Sequence, residues 1–396
     1  MAKAQEKAKP EAAAARQAIQ VERRDFAEIV APTGATKPAM AGFDPVYADI
    51  VDYIVRCTHR IWDERDVGLI HSHYTHNCVV YTPLGTSYDR ETIVRETIKR
   101  IALLPERRGM ATQVIWRGNE TEGFYTSHLV TGSGRHSQPG KYGPPTGRSF
   151  VSRTVADCLV HANRIYREWV VADQMAILLQ LGVDPGPYAE GLARSLFEKG
   201  QTQLDFGENR HTVGQYPPDA EPDLTLAETE LERETLTWLH DVWNRRMFGR
   251  IPEVYASNAM YHGPLMVEAY GAASVLQHSI GLLATFPDAV FLPQHICSSP
   301  CDEGGTKVAV RWVLSGHHTG DGILRRIGPV SGAAVTLMGM SHFHYRDGRI
   351  VDEWRVFDEL SALLQIRLAE MAGAEQGASE PGADTDTKPA GEAADG

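Results

Sequence analysis

Two stretches of this chain carry one pattern. Arg164 to Gln180, RIYREWVVADQMAILLQ, and Arg349 to Gln365, RIVDEWRVFDELSALLQ, place arginine, isoleucine, glutamate, tryptophan, aspartate, two leucines and glutamine at the same relative positions. Chance alone would give roughly one identity in a window of this size, so the repeat reports an internal duplication. Its period is far too long for a solenoid. The chain is therefore constrained to two domains of one kind, and whatever fold is assigned to one copy must suit the other.

The second copy closes a hairpin, because SHFHYRDGR runs into it from Ser341. Tyr345-Arg346-Asp347-Gly348 fits a type I turn followed by a left-handed glycine, which predicts a three-residue loop with a bulge. In that register His342 and His344 share a sheet face with Ile350, Trp354, Val356 and Asp358, since alternate strand residues point the same way. Asn163 stands where the second copy has Gly348, and asparagine also tolerates the left-handed region.

Each half runs helices first and strands after, an α+β order. Ile50, Ile54, Cys57 and Ile61 recur at helical spacing, and Leu231, Leu236, Leu239 and Val242 do so in the second half. The expected organisation is an N-terminal arm over 1–43, a first domain over 44–182, a linker with a short helix over 183–226, a second domain over 227–371 and a disordered acidic tail over 372–396. At 396 residues and a net charge of -12, the chain lacks the clustered Lys and Arg that nucleic acid or an anionic membrane would want. No apolar run approaches the roughly 18 residues of a membrane span, and the start has no apolar signal block. A cytoplasmic protein is the expectation. Five cysteines, Cys57, Cys78, Cys158, Cys297 and Cys301, are an odd and sparse set that suits reduced thiols better than a disulfide framework.

The pattern R-I-x-x-E-W-x-x-x-D-x-x-x-x-L-L-Q, preceded in both halves by G-P-x-x-G, resembles the SnoaL-like polyketide cyclases of the nuclear transport factor 2-like superfamily. The resemblance implies two cone-shaped α+β barrel domains in tandem, helices packed on a curved, mostly antiparallel sheet around an apolar pocket. It also implies that the halves pair as an intramolecular pseudo-dimer. In that family a strand-borne aspartate is the general base of a cofactor-free aldol cyclisation, helped by a histidine on the preceding strand. Asp358 matches the aspartate, His344 the histidine, and His342 is a second imidazole beside it. A carboxylate raised by an apolar pocket can take a proton from between two carbonyl groups, and an imidazole can steady the enolate.

In the first half Asp173 matches Asp358, but Asp157 and Leu159 replace the histidines. Pocket-wall candidates are Tyr261, His262, Trp312, His318 and Tyr81, with Asp173 and Asp157 in the first half. The expected ligand is a small apolar carbonyl compound, with no cofactor and no metal. The bland readings are an N-cap for Asp358 and for Asp173, and hydrogen-bonded core histidines for His342 and His344. Two other functions stay open: a non-catalytic binder, and a hydrolase using Asp157 and Asp173. His71, His73 and His76 have helical spacing for metal ligands but no carboxylate to complete a known site.

Overall fold

The computed structural model describes residues 40–206, 221–301 and 303–379. Most of the expected arm, part of the linker and the tail from 380 lie outside them. Two six-stranded mixed sheets are present, ordered β2-β1-β6-β5-β4-β3 and β8-β7-β12-β11-β10-β9. The first comprises β1 (Tyr74–Thr82), β2 (Gly85–Tyr88), β3 (Arg108–Asn119), β4 (Gly123–Arg135), β5 (Ser149–His161) and β6 (Arg164–Ala172). The second comprises β7 (Tyr255–His262), β8 (Glu268–Tyr270), β9 (Val290–Pro300), β10 (Thr306–His317), β11 (Ala334–Arg346) and β12 (Arg349–Phe357). In each, one parallel pairing, β1 with β6 and β7 with β12, joins the two ends of the domain, and the other pairings are antiparallel. The sheets stay open, with β2 and β3 as edges of the first, so the domains are α+β cones without a closed barrel.

The helices follow from capping and apolar spacing. Asp49 accepts the Asp52 N–H to start α1 (Ile50–Trp62), whose Ile50, Ile54, Cys57 and Ile61 are buried. Its counterpart α6 (Glu230–Trp243) starts with a full capping box between Thr229 and Glu232. Between these lie α2 (Ile70–His73), α3 (Arg90–Leu103), α4 (Gln174–Leu181) and the linker helix α5 (Pro185–Phe197). The second half adds α7 (Ile251–Val254), α8 (Ala272–Thr285) and α9 (Glu359–Ser379). The last helix runs eight residues past Met371, where sequence composition placed the start of disorder. Met40 and Phe43, expected in the arm, are buried in the first core.

The hairpin differs from expectation in an instructive way. Arg346 pairs with Arg349, leaving a two-residue Asp347-Gly348 loop whose φ values are both positive, 50° and 73°. That is the mirror-image turn whose twist suits a hairpin. The bulge sits one step further in, between the pairs His344 with Asp352 and Tyr345 with Ile350. The first half repeats the device: Ala162 and Asn163 turn with φ 45° and 66°, and the ladder slips between Leu159 and Val160. Because of the bulge, His342 and His344 share a face with Asp352, Trp354 and Val356, while Ile350 faces the other way.

The register makes the halves comparable residue by residue. Asp157 pairs with Trp169, and His342 with Trp354, so Glu168 corresponds to Glu353 and Val170 to Arg355. The outer faces of the sheets pack on each other through Tyr81, Leu129, Trp169, Met338, Met340 and Val356.

Candidate functional site: a cavity in the first half

An open volume lies in the first half. Between its sheet and helices is a cavity of 720 Å³ lined by Ile54, Thr58, Tyr74, His128, Cys158 and Glu168, among others. Small residues on the inner sheet face make the space: Ser152, Thr154 and Ala156 on β5, Val170 and Ala172 on β6. In the second half Leu337, Arg355 and Phe357 stand at the places of Ser152, Val170 and Ala172, and Phe343 at that of Cys158, while Gly339 and Ser341 match Thr154 and Ala156. There Trp312 fills the middle, its indole N–H donating to Ser341 at 3.1 Å. It fits only because residue 339 is glycine, where a Cβ would meet the indole at 2.2 Å. Trp238 caps the fill, stacked edge-on to Phe343 and donating to the Tyr345 hydroxyl at 2.8 Å.

One buried pair survives in both halves with opposite electrostatics. Tyr74 donates to Glu168 at 3.1 Å, and Tyr255 donates to Glu353 at 2.7 Å. In the second half Arg355 lies 2.7 Å from Glu353 and spreads over Trp243 and Tyr261. In the first half Val170 takes the arginine's place. Among the described residues Glu168 therefore has only Tyr74 and the Cys158 thiol, 3.8 Å away, as hydrogen-bond partners. Burial pushes its carboxyl up to about 7, against the smaller lowering by those two groups and by Arg100. His128 lines the same cavity; burial takes its imidazole down to about 4, so it is neutral. Its Nδ1 faces the Thr58 hydroxyl at 3.5 Å, and its Nε2 has no partner among the described residues.

The residues singled out in the sequence lie elsewhere. His342 sits between the halves, its Nε2 2.7 Å from the Ser127 hydroxyl, and burial pushes it down to about 3. Ser127 also donates to Asp157, which takes bonds from Tyr125 and from Arg311 at 3.4 Å. His344 meets the Gly304 carbonyl at 2.8 Å and has Asp352 at 3.7 Å. Asp358 accepts the Leu360 N–H at 3.2 Å and, across the halves, the Met175 N–H at 3.0 Å. Asp173 does the reciprocal, taking Ala176 N–H of its own helix and Leu265 N–H of the other half. Burial, then the charge of Asp173, drives Asp358 up to about 8; burial takes Asp173 to about 6. Both aspartates are thus caps that cross the interface, and none of Asp358, His342 and His344 lines the cavity of the first half.

Of the wall candidates, Tyr261 and Trp312 belong to the filled core. His262 stacks on Trp354 and pairs with Glu268 at 2.5 Å, His318 bonds Ser331 at 3.1 Å, and Tyr81 stacks on Trp169. His73 bonds Tyr47 at 2.7 Å, and His76 is exposed. Among metal-type ligands, Cys301, Glu303 and His344 bring one atom each within 4.8 Å of one another. All five cysteines are free thiols. Among the described residues no helix is long and apolar enough to cross a membrane.

Residues 233–366 match the family model of the SnoaL-like polyketide cyclases. The second half is a SnoaL-like domain. The first half repeats its strand order and hairpin register, so the chain is a tandem of SnoaL-like folds. Similar solved structures include IdmH of Streptomyces antibioticus, named as a candidate polyketide cyclase: 21% identity over 34% of this chain and 98% of that one, TM-score 0.30. A candidate polyketide cyclase of Acidithiobacillus ferrooxidans gives 22% over 36% and 99%, TM-score 0.30. AclR of Streptomyces galilaeus, named as a candidate hydroxylase, gives 21% over 38% and 95%, TM-score 0.29. No curated protein matches the chain in sequence.

Glu168 is the glutamate of the repeated pattern, and as a site residue it was missed in the sequence. The signal that separates it from Glu353 is two residues further on, where Val170 stands against Arg355. A carboxylate that keeps its position while losing its arginine is the mark of a changed role.

Proposed function

We propose that the first half is the catalytic half of a cyclase or isomerase type enzyme acting on a carbonyl compound, with Glu168 as its general base. The carrying observation is a buried carboxyl at the wall of a 720 Å³ cavity, raised to about 7 and with no ion pair among the described residues, the charge of Arg100 being the smallest of its influences. A base is most effective when its pKa lies near the working pH. Glu168 as carboxylate would take the proton from the carbon next to the carbonyl, leaving an enolate. The enolate carbon then attacks a second carbonyl carbon of the same molecule, and Glu168 returns the proton to the new alkoxide; in an isomerisation it returns the proton to another carbon. Tyr74 holds the carboxyl by its hydroxyl. His128, neutral, is a polar group on the same inner sheet face, two strands from Glu168; one tautomer gives a hydrogen bond to a carbonyl oxygen and the other accepts one from a substrate hydroxyl. The second half, its cavity filled, supports the first.

The test is deuterium uptake by 2-tetralone in heavy water, followed by NMR. The wild type should exchange the acidic protons faster than buffer, with a rate that rises through about pH 7. Glu168→Gln should lose about a hundredfold or more of that rate, and Asp358→Asn, if folded by circular dichroism, should keep it. A full rate in Glu168→Gln, or its loss in folded Asp358→Asn, would return the base to Asp358.

A further inference from the structure

The cavity wall also carries cations that the proton transfer does not use. Arg100, near the end of α3, and Arg107, in the turn that follows it, both line the cavity. Their guanidinium carbons lie 5.8 Å and 5.3 Å from the ring of Trp62, so two like charges share one indole. Neither forms an ion pair with a described carboxylate. Of the two acids in the lining, Glu96 is bonded to Lys99 at 2.8 Å, and Glu168 feels the charge of Arg100 without bonding to it. Asp63, the acid whose charge reaches Arg107, already accepts the Gly109 N–H at 2.8 Å. Lys141 adds a third cation to the wall. Burial and the charge of Arg100 hold Arg107 below the usual arginine range, which is the signature of a site short of an anion. Two guanidinium groups that share one indole, line one cavity and feel each other's charge are suited to a carboxylate, whose two oxygens can each accept from a guanidinium fork.

We propose that the substrate of this cavity bears a carboxylate, seated by Arg100 and Arg107, so that the reacting compound is a carbonyl acid and not a neutral polyketide. This rests on the reading of the cavity as the substrate site. Seating the acid group on these arginines fixes how the carbon skeleton enters and therefore which carbon is offered to Glu168.

The experiment compares two probes of one shape, 2-naphthoate and 2-acetylnaphthalene, by titration calorimetry on the full chain. The wild type should bind the naphthoate about tenfold or more tightly at low ionic strength, and the preference should shrink as salt is added. Arg107→Gln and Arg100→Gln should each bring the ratio of the two affinities toward one. Arg107→Lys, which keeps the charge and loses the fork, should leave an intermediate ratio and guards against a folding defect in the glutamine variant. Equal binding of both probes by the wild type, or a preference untouched in the double glutamine variant, overturns the anion seat while leaving the cavity as a binding site. Failure of both probes to bind overturns the cavity reading as well.

Discussion

Replacing Glu168 by glutamine tests the core of the argument without any substrate. A carboxyl at about 7 in the folded chain and 4.5 as its ordinary value binds its proton more tightly folded than unfolded. Its contribution to stability is complete below about pH 4.5 and is lost as pH rises through 7. Each pH unit of difference is worth about 1.4 kcal/mol, so the linked loss is about 1 kcal/mol at pH 5 and about 3 kcal/mol at pH 8. Glutamine keeps the shape and does not titrate. Urea unfolding of both proteins from pH 5 to pH 8, read by tryptophan fluorescence, should therefore show the variant gaining on the wild type by about 2 kcal/mol across that span. The comparison cancels Asp358, Asp173 and Glu359, which titrate in both proteins. Parallel stability curves would mean that Glu168 is an ordinary ionised carboxylate, and the assignment of the base would fall with it.

The halves also suggest exchanging their chemistry. Val170→Arg places in the first half the arginine that Glu353 has in the second; the new cation should draw Glu168 down by about 1–3 pH units, move the midpoint of the 2-tetralone exchange profile to lower pH by that amount, and reduce the plateau rate. A profile left in place would show that the arginine does not reach the carboxyl. At the interface, Arg311→Met leaves Asp157 buried without its cation, and denaturant unfolding should register a loss of about 3–5 kcal/mol; a loss within 1 kcal/mol would show that the Ser127 and Tyr125 hydroxyls suffice to hold that carboxylate.

The duplication, the α+β order and the equivalence of Trp169 with Trp354 were legible because they are written in identities along one strand and one helix. The face on which His342 and His344 lie was legible only in part, since the alternation is local but a bulge at Val351 reverses it for Ile350. Which half is hollow was not legible. That depends on residues from four elements meeting in space: Gly339 admits Trp312, Trp238 caps it, and Arg355 reaches across to Glu353. None of these residues is unusual by itself. The histidines drew attention because imidazole is the familiar partner of a catalytic acid, yet the same polarity can serve a buried interface when a serine such as Ser127 stands opposite. Asp358 and Asp173 read equally well as caps or bases in sequence; the neighbours that decide it, Met175 and Leu265, come from the opposite half.

The filled second half has a consequence for how such a chain can evolve. In an assembly of two identical subunits every residue that hollows one pocket hollows the other, so the instability of an empty, charged interior is suffered twice. A fused pair breaks that symmetry. One copy is released to accumulate tryptophan, phenylalanine and a neutralised glutamate, and through the crossed aspartate caps its solidity is passed to its neighbour. The hollow copy can then tolerate an unpaired carboxyl and two crowded arginines, and selection on what enters the cavity can proceed without being checked at each step by the need to stay folded.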